Sequence, residues 1–356
     1  MNFHGGDIYS CKGRVLDFSS NINPLGVPES FRRALFERIN DFTRYPDIKY
    51  RALKQALAEY LSLNAPETII PGNGAVEIIF KAIMALNVSS MINLSPTFSE
   101  YARAARQKGV RVLDLNAYDQ EFWRLDFEKI MASVEEKSLV VLCNPNNPTG
   151  TLVEKTEVCD FARRLKEKDS FLIIDEAFIE FTDDYPKNSM VSEFQDYRNV
   201  LVIRAATKFF GMPGIRLGFG VTQNLDLVRG IEAQLEPWNV NAAAVIAGCT
   251  VYKDEAYINA SRRWAKEERE FLFHRLKEIE ELKVYPSQAN YHLLKIRDEK
   301  IDAWELKELM LKEGILIRTP DGFNFLTPYH FRLAVKDRES NQAVLTALRE
   351  VLSVNG

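Results

Sequence analysis

The stretch NVLVIRAATKFFGMPGIRLGFG, residues 199–220, joins a short apolar run to a glycine-rich segment that carries one lysine. The run NVLVIRA (199–205) has the length and the continuous apolar character of a strand buried on both faces of a parallel sheet. Lys208 follows this run, and Arg216 lies eight positions later. A lysine usually keeps its ammonium group in water. In a partly dry pocket, however, it can lose its proton and condense with an aldehyde.

Three other short apolar runs resemble the first in length and composition. They are SSMINLS (89–95), SLVVLCN (138–144) and SFLIIDE (170–176). Segments with apolar residues at three- and four-residue intervals lie between such runs and predict amphipathic helices. These helices are predicted at 50–61, 75–86 and 155–168. The alternation predicts an α/β fold with a mostly parallel sheet flanked by helices.

The length of the chain predicts two lobes. At 356 residues with 46% hydrophobic content, the chain exceeds the size at which one core usually stops growing. After about residue 250 the sequence changes to a long charged helical stretch, followed by a further helix near 303–313. We therefore predict a large domain at 45–250 and a smaller α+β domain formed by 1–44 and 251–356.

Charge and cysteine usage narrow the classes of partner. The formal net charge of −4 gives no general attraction to nucleic acid or to an anionic membrane. The four cysteines and four histidines show no disulfide or zinc spacing, so no metal is predicted. The N-terminus lacks the pattern of a secretory signal, and no apolar run approaches the roughly 18 residues of a membrane span. We expect a cytoplasmic protein that binds small molecules.

Polar residues directly after the apolar runs are candidates for a binding site, because ligands collect at the carboxyl ends of parallel strands. PGNGAVE (71–77) places glycines before a helix start, which can hold an anion or can simply form a turn. CNPNNPTG (143–150) is a rigid turn or an ordinary loop. Asp175 and Glu176 end a strand with no cationic neighbour in the sequence. Such an acid is often a helix cap, but its carboxylate can also pair with a protonated heteroaromatic nitrogen.

The order and spacing of these residues resemble those of a known enzyme family. Asn147, Asp175, Lys208 and Arg216 are separated by 28, 33 and 8 residues. Together with seven short segments they resemble the fold-type I pyridoxal phosphate enzymes, specifically the class I and II aminotransferase superfamily, over essentially the whole chain. The segments are RYPD (44–47), GNGAVE (72–77), SPTFSEY (95–101), NPNNPTG (144–150), DEAFIEF (175–181), TKFFGMPGIRLGFG (207–220) and YHFRLAV (329–335).

The resemblance implies pyridoxal 5′-phosphate as cofactor, bound by the large domain. It implies that Lys208 forms a Schiff base with the cofactor aldehyde and then shuttles protons. Asp175 would pair with the ring nitrogen, Asn147 would bond the ring O3′, and Phe98 would stack on the ring. The residues implied to hold the cofactor phosphate are Gly74, Ala75, Val76, Thr207 and Arg216.

Further residues are implied to bind the substrate or a second subunit. Tyr45 would reach the cofactor phosphate of a neighbouring chain, which implies a homodimer with shared sites. Arg332 matches an arginine that binds the substrate carboxylate in the bidentate manner of a guanidinium. Phe178 departs from the family pattern, in which a tyrosine at this position donates to O3′. Phenylalanine has no donor, so control of the aldimine proton is loosened.

Two subfamilies that take phosphorylated amines fit the chain. They are the histidinol-phosphate aminotransferases and the L-threonine-O-3-phosphate decarboxylases of the cobalamin pathway. ILIR (315–318) matches the segment whose arginine, here Arg318, binds the substrate phosphate in both. HGGDI (4–8) and LDFSSNINPLG (16–26) resemble the decarboxylase pattern and imply substrate contacts for His4, Gly5 and Asn21, beside that of Asn147. We therefore expect a decarboxylase, with the aminotransferase as the alternative.

The two reactions differ in which Cα bond stands perpendicular to the cofactor ring, and sequence does not measure that orientation. A non-catalytic regulator that binds the cofactor and DNA is a third class. It is disfavoured because Lys208 and Asp175 are both present and the net charge is acidic.

Overall fold

The computed structural model describes residues 4–355, without the side chains of residues 354 and 355. It contains twelve β-strands and twelve α-helices within that range. The strands are β1 (Leu16–Asp17), β2 (Ile69–Asn73), β3 (Ser90–Ser95), β4 (Arg111–Asn116), β5 (Ser138–Cys143), β6 (Phe171–Asp175), β7 (Val200–Ala205), β8 (Leu217–Val221), β9 (Leu282–Val284), β10 (Tyr291–Ile296), β11 (Ile315–Leu316) and β12 (His330–Ala334). The helices are α1 (Glu29–Glu37), α2 (Arg51–Leu61), α3 (Ala75–Ala85), α4 (Glu100–Lys108), α5 (Phe127–Ser133), α6 (Lys155–Glu167), α7 (Ala206–Phe209), α8 (Leu225–Glu232), α9 (Ala242–Val251), α10 (Glu255–Leu276), α11 (Ala303–Lys312) and α12 (Arg338–Asn355).

A seven-stranded sheet in the order β2-β8-β7-β6-β5-β3-β4 forms the centre of the large lobe. The pairs between β4, β3, β5, β6 and β7 are all parallel, and β8 runs antiparallel to both of its neighbours. The four apolar runs predicted as strands are β3, β5, β6 and β7, which lie side by side. The predicted α/β class is confirmed.

The apolar runs are continuous because both faces of this sheet are covered. In β5, Val140 and Leu142 pack into one hydrophobic cluster, and Leu139 and Val141 pack into another on the opposite face. Successive side chains of a strand point to opposite faces, so every residue of a strand buried in this way must be apolar.

The glycines of the stretch LGFG become part of β8. A Cβ added to Gly218 would lie 2.2 Å from the backbone nitrogen of Ala75, the first residue of α3. The strand therefore passes against the start of the helix at a distance that only glycine permits. This close approach was not predicted, because glycines in a strand interrupt the apolar pattern from which strands are read.

The second lobe is built on a three-stranded antiparallel sheet in the order β12-β10-β9. The N-terminal segment joins this lobe, since β1 pairs in parallel with β11 and the Ala334 amide donates to the Phe18 carbonyl at 2.9 Å. Helix α1 instead packs on α9. The chain thus returns to the same lobe from both ends, while the domain boundaries at 45 and 250 stay a prediction. Within the described residues, no helix is long and apolar enough to cross a membrane.

Candidate active site

The carboxyl ends of three adjacent parallel strands build the base of one cavity. The register pairs Cys143 of β5 with Asp175 of β6, and Asp175 with Ile203 of β7. Asn147 lies in the turn after β5, Asp175 is the last residue of β6, and Lys208 lies in α7 directly after β7. All three side chains line a cavity of about 350 Å³ between the two lobes.

Nearly every residue predicted for the site lines this same cavity. These residues are His4, Gly5, Asn21, Ala75, Val76, Phe98, Asn147, Asp175, Thr207, Lys208, Arg216, Arg318 and Arg332. Gly74 lies just behind the cavity wall, against Arg216. Tyr45 is elsewhere, 74% exposed on the surface and stacked on Trp238 with the ring centroids 4.3 Å apart.

The Lys208 amine lies in a half-buried, electropositive position. Among the described residues, none hydrogen-bonds or ion-pairs with this amine. Burial, reinforced by the positive charges of Arg332, Arg216 and Lys336, lowers the pKa of Lys208 to about 8, and Asp17 opposes the shift. A neutral amine is the nucleophilic form, so this environment prepares Lys208 for attack on an aldehyde.

The Asp175 carboxylate is buried and held by two hydrogen bonds. The Tyr101 hydroxyl donates to Oδ2 at 2.6 Å, and the Ala177 amide donates to Oδ1 at 3.0 Å. Burial raises the pKa of Asp175, and these two hydrogen bonds oppose the rise. The next acid, Glu176, differs because it meets the buried Arg204 at 3.4 Å. No described cation pairs with Asp175, so its carboxyl group is available to a partner inside the cavity.

Tyr101 was not predicted as a site residue. It lies on α4 three positions after Phe98, and its ring meets the Phe98 ring edge-on with centroids 5.5 Å apart. The sequence signal was the pair of aromatic residues in SPTFSEY, of which Phe98 precedes α4 and Tyr101 lies in its first turn.

Arg332 orients Asn147. One guanidinium N–H of Arg332 donates to Asn147 Oδ1, and another donates to the Ser19 carbonyl at 2.7 Å. Because Oδ1 accepts from Arg332, the amide nitrogen of Asn147 is left as a donor toward the cavity. Burial and the neighbouring Arg318 lower the pKa of Arg332 to about 9, and no described carboxylate forms an ion pair with it.

A second arginine lies directly beside the first. Arg318 and Arg332 form an antiparallel bridge, with the Arg332 amide donating to the Arg318 carbonyl at 2.8 Å. The Arg318 guanidinium donates to the Thr319 carbonyl at 2.9 Å and packs on Phe323, 5.0 Å from the ring centroid. Burial lowers the pKa of Arg318 to about 10. Two like charges at adjacent positions favour anionic groups in the cavity.

The opposite end of the cavity is a helix start covered by an arginine. Gly74 precedes α3 with φ 83°, and a Cβ there would lie 2.3 Å from Arg216 Nη2. Arg216 itself adopts φ 57°, an uncommon conformation for a side chain of this size. The positive end of the α3 dipole and the Arg216 guanidinium together form a cradle suited to a phosphate.

The N-terminal segment covers the remaining side of the cavity. His4 Nε2 lies 3.2 Å from Glu100 Oε1, and its ring lies 5.6 Å from that of Phe98. A Cβ on Gly5 would lie 2.1 Å from the Ser19 carbonyl oxygen. Asn21 is buried, and its Oδ1 has no partner among the described residues. The segment therefore adds to the cavity one buried polar atom, Asn21 Oδ1, that no described residue uses.

Phe178 lines the cavity as a buried ring without a donor. It packs edge-on against Tyr291 with centroids 5.1 Å apart, while the Tyr291 hydroxyl donates to the Asn146 carbonyl at 2.8 Å. The hydroxyl of Tyr291 is therefore engaged elsewhere, and the departure at Phe178 leaves Asn147 as the donor on this side.

The sequence matches the model of the family described as aminotransferase class I and II over residues 13–348. The chain belongs to this aminotransferase family. The resemblance drawn from the sequence is therefore confirmed, and the cofactor of the family is pyridoxal 5′-phosphate.

Three similar family members are named for two different activities. Threonine-phosphate decarboxylase from Salmonella typhimurium is 35% identical over 98% of this chain and 96% of its own length. A protein from Caldanaerobacter subterraneus, provisionally named for the same activity, is 42% identical over 97% of this chain and 93% of its own. The solved structure of a histidinol-phosphate aminotransferase from Clostridium acetobutylicum is 38% identical, with a TM-score of 0.90, and covers 96% of this chain and 100% of its own.

The residues of the cavity fit the family cofactor. The cofactor needs a lysine amine for its aldehyde, a carboxylate for its pyridine nitrogen, a hydrogen-bond donor for its phenol oxygen and a binding site for its phosphate. The cavity offers one of each: an uncombined lysine amine, a buried carboxylate, a free amide donor and a phosphate cradle at a helix start. The cradle is specific, because any side chain at Gly74 would meet Arg216. Among the described residues, no group of three potential ligands could hold a metal ion.

The lowered pKa of Lys208 predicts selective labelling. In cofactor-free protein, acetylation of Lys208 followed by peptide mass spectrometry should show half-maximal reactivity near pH 8, because the neutral amine predominates above its pKa of about 8. Arg332→Gln should move the midpoint to higher pH by removing a neighbouring positive charge. The exposed Arg111→Gln should leave it unchanged. A midpoint near 10.5, the ordinary value, would contradict the described environment.

Proposed function

We propose that this protein decarboxylates L-threonine O-3-phosphate, releasing CO2 and forming (R)-1-amino-2-propanol O-2-phosphate. The observation that carries the proposal is the pair of bridged, buried arginines, Arg318 and Arg332, beside Lys208 in one cavity. The substrate has a carboxylate and a phosphate, so both of its ends are anionic. The full-length relatives named as threonine-phosphate decarboxylases support this substrate.

The two arginines would fix opposite ends of the substrate. Arg332 binds the carboxylate, because its position is set by Asn147 and by the Ser19 carbonyl. Arg318 binds the substrate phosphate, with His4, Gly5 and Asn21 contributing from the N-terminal segment. Burial of the guanidinium groups strengthens both contacts, since water screens them less. Binding both ends sets which bond of the substrate Cα is presented for cleavage.

The remaining residues hold the cofactor or move protons. Bound pyridoxal phosphate supplies a protonated ring that takes up the negative charge left at Cα when CO2 departs. Asp175 holds the proton at the ring nitrogen, Asn147 donates to O3′ and Phe98 packs on the ring face. The phosphate is held by Gly74, Ala75, Val76, Thr207 and Arg216. Lys208, with its lowered pKa, donates a proton to Cα and is restored as a neutral amine.

Transamination of histidinol phosphate is the second candidate. The observation that favours it is the similarity to the Clostridium acetobutylicum structure, with a TM-score of 0.90 at 38% identity. Histidinol phosphate has a phosphate but no carboxylate for Arg332, although the amino-group donor of a transaminase would supply one. The N-terminal segment favours the decarboxylase, because HGGDI (4–8) resembles the decarboxylase pattern and His4 and Gly5 line the cavity.

Product analysis separates these two reactions. Protein loaded with pyridoxal phosphate should release CO2 from threonine phosphate and should form little glutamate from histidinol phosphate and 2-oxoglutarate. Arg332→Lys should lower kcat/KM for threonine phosphate at least about thirtyfold, because losing a bidentate buried contact costs about 2 kcal/mol or more. The exposed Arg338→Lys is the matched control and should retain activity. Glutamate formation without CO2 release would overturn the proposal.

We also propose that the protein is a homodimer in which Tyr45 reaches the cofactor phosphate of the neighbouring subunit. The surface properties of this part of the chain support the arrangement, because large apolar side chains close to Tyr45 in the sequence, and Trp238 stacked on it, are exposed. They are Phe36 (82% exposed), Ile39 (54%), Phe42 (50%), Tyr45 (74%), Ile48 (55%) and Trp238 (40%). A surface of this kind marks a protein interface. Its occupant is a second copy, since Tyr45 does not line the cavity of its own chain.

Subunit complementation tests the shared site. Lys208→Ala and Tyr45→Ala chains, each weakly active alone at limiting cofactor, should regain activity when co-expressed and purified as a heterodimer. Each heterodimer then holds one site with both native residues, so about half of the native activity per dimer is expected. If Tyr45 served its own subunit, no native site would form and activity would not return. Sedimentation should give twice the mass of 40.8 kDa.

Two coarser predictions accompany this function. The proposed domains are 45–250 for cofactor binding and 1–44 with 251–356 for the substrate side, which matches the origin of Lys208 and Arg332 in different lobes. A cytoplasmic location is proposed as well. It is supported by the four cysteines, which are all free, as is usual in a reducing compartment.

A further inference from the structure

Tyr101 is a fully buried side chain whose hydroxyl contacts only one charged group of the site. It is 0% exposed, and its hydroxyl donates to Asp175 Oδ2 at 2.6 Å. The distance is that of a short hydrogen bond to a charged acceptor. A buried tyrosine hydroxyl needs such a partner, so the geometry fixes both side chains.

The Asp175 charge depends on hydrogen bonds rather than on an ion pair. Among the described residues, no cation pairs with Asp175. The Ala177 amide holds Oδ1 at 3.0 Å, and Tyr101 supplies the remaining donor, on Oδ2. Burial alone would favour the protonated acid. A protonated Asp175 would be unable to attract the proton of a ring nitrogen.

Tyr101 also contacts Phe98, the residue proposed to stack on the cofactor ring. Its ring packs edge-on against Phe98, with centroids 5.5 Å apart and an interplanar angle of 79°. Because Tyr101 lies on α4 and Asp175 ends β6, the hydrogen bond also connects a helix to the base of the cavity. One buried residue therefore restrains both the carboxylate and the stacking ring.

We propose that Tyr101 is a positioning residue whose hydroxyl keeps the Asp175 carboxylate ionised and aligned for the protonated ring nitrogen of the cofactor. This inference rests on the cofactor roles given in the proposed function. Without the hydroxyl, Asp175 loses one of its two donors in a buried site. The ring nitrogen then loses its proton more easily, and the ring accepts negative charge less well.

The nitrogen-15 chemical shift of the bound cofactor reports this protonation directly. Tyr101→Phe removes only the hydroxyl, and its holoprotein, loaded with nitrogen-15-labelled pyridoxal phosphate, should shift the ring-nitrogen resonance toward that of neutral pyridine. Asp175→Asn provides the reference for a ring without its carboxylate. The value of kcat should fall about tenfold to a hundredfold, as expected for losing a hydrogen bond to a charged group. The KM for threonine phosphate should change little, since Arg318 and Arg332 are untouched.

Tyr118→Phe is the matched control. Tyr118 is also buried, at 5% exposure, but its hydroxyl has no partner among the described residues and does not line the cavity. Its holoprotein should keep the native resonance and kcat. Site-specific 3-fluorotyrosine at position 101 retains the ring and the hydroxyl and makes it a stronger donor. Fluorotyrosine at position 101 should therefore shift the nitrogen-15 resonance of the cofactor ring, whereas fluorotyrosine at position 118 should not.

The possible results distinguish a failure of the role proposed for Tyr101 from a failure of the cofactor assignment. If the native protein binds the cofactor and shows a protonated ring nitrogen that Tyr101→Phe and the fluorinated residue leave unchanged, Tyr101 has no positioning role. The cofactor assignment would then stand. If the native protein takes up no pyridoxal phosphate, the proposed function itself fails. Urea midpoints for Tyr101→Phe and Tyr118→Phe establish whether the hydroxyl substitution affects folding.

Discussion

The burial of the Lys208 amine among positive charges is the constraint on which the rest of the site depends. A protonated lysine in this position would face the positive charges of Arg332, Arg216 and Lys336, which outnumber the opposing charge of Asp17. The lowered pKa of about 8 makes more of the neutral, nucleophilic amine available near neutral pH than an ordinary lysine has. Burial is the main cause of the lowered pKa, and the positive charges that add to it also favour anionic groups in the cavity.

The fold supplies this arrangement by bringing distant segments to one place. Parallel strands end at the same edge of the sheet, so Asp175 and Lys208 become neighbours although they are 33 residues apart. The second lobe then contributes Arg332 from β12, and the N-terminal segment is tied to the same strand by the hydrogen bond from the Ala334 amide to the Phe18 carbonyl. Residues of both lobes therefore line one cavity.

The sequence predicted the strands that are buried on both faces, because each is a continuous apolar run such as SLVVLCN (138–144). It did not predict β8, whose glycines make room for α3 and hide the pattern of a strand. The lysine, aspartate and arginine of the cavity were predicted from the resemblance of their motifs to the aminotransferase family. Tyr101 was not, because its contact with Asp175 joins residues 74 positions apart on a helix and a strand. Contacts of that kind depend on packing, which local patterns do not encode.

The most direct test of the central assignment is borohydride reduction of protein loaded with pyridoxal phosphate, followed by peptide mapping. Reduction converts a carbon–nitrogen double bond into a stable single bond and marks the attached lysine. We expect the phosphopyridoxyl group on the peptide that contains Lys208, and on no other lysine at one equivalent of cofactor. A modification at another lysine, or a native protein that carries no modification, would contradict the assignment of Lys208 as the covalent anchor.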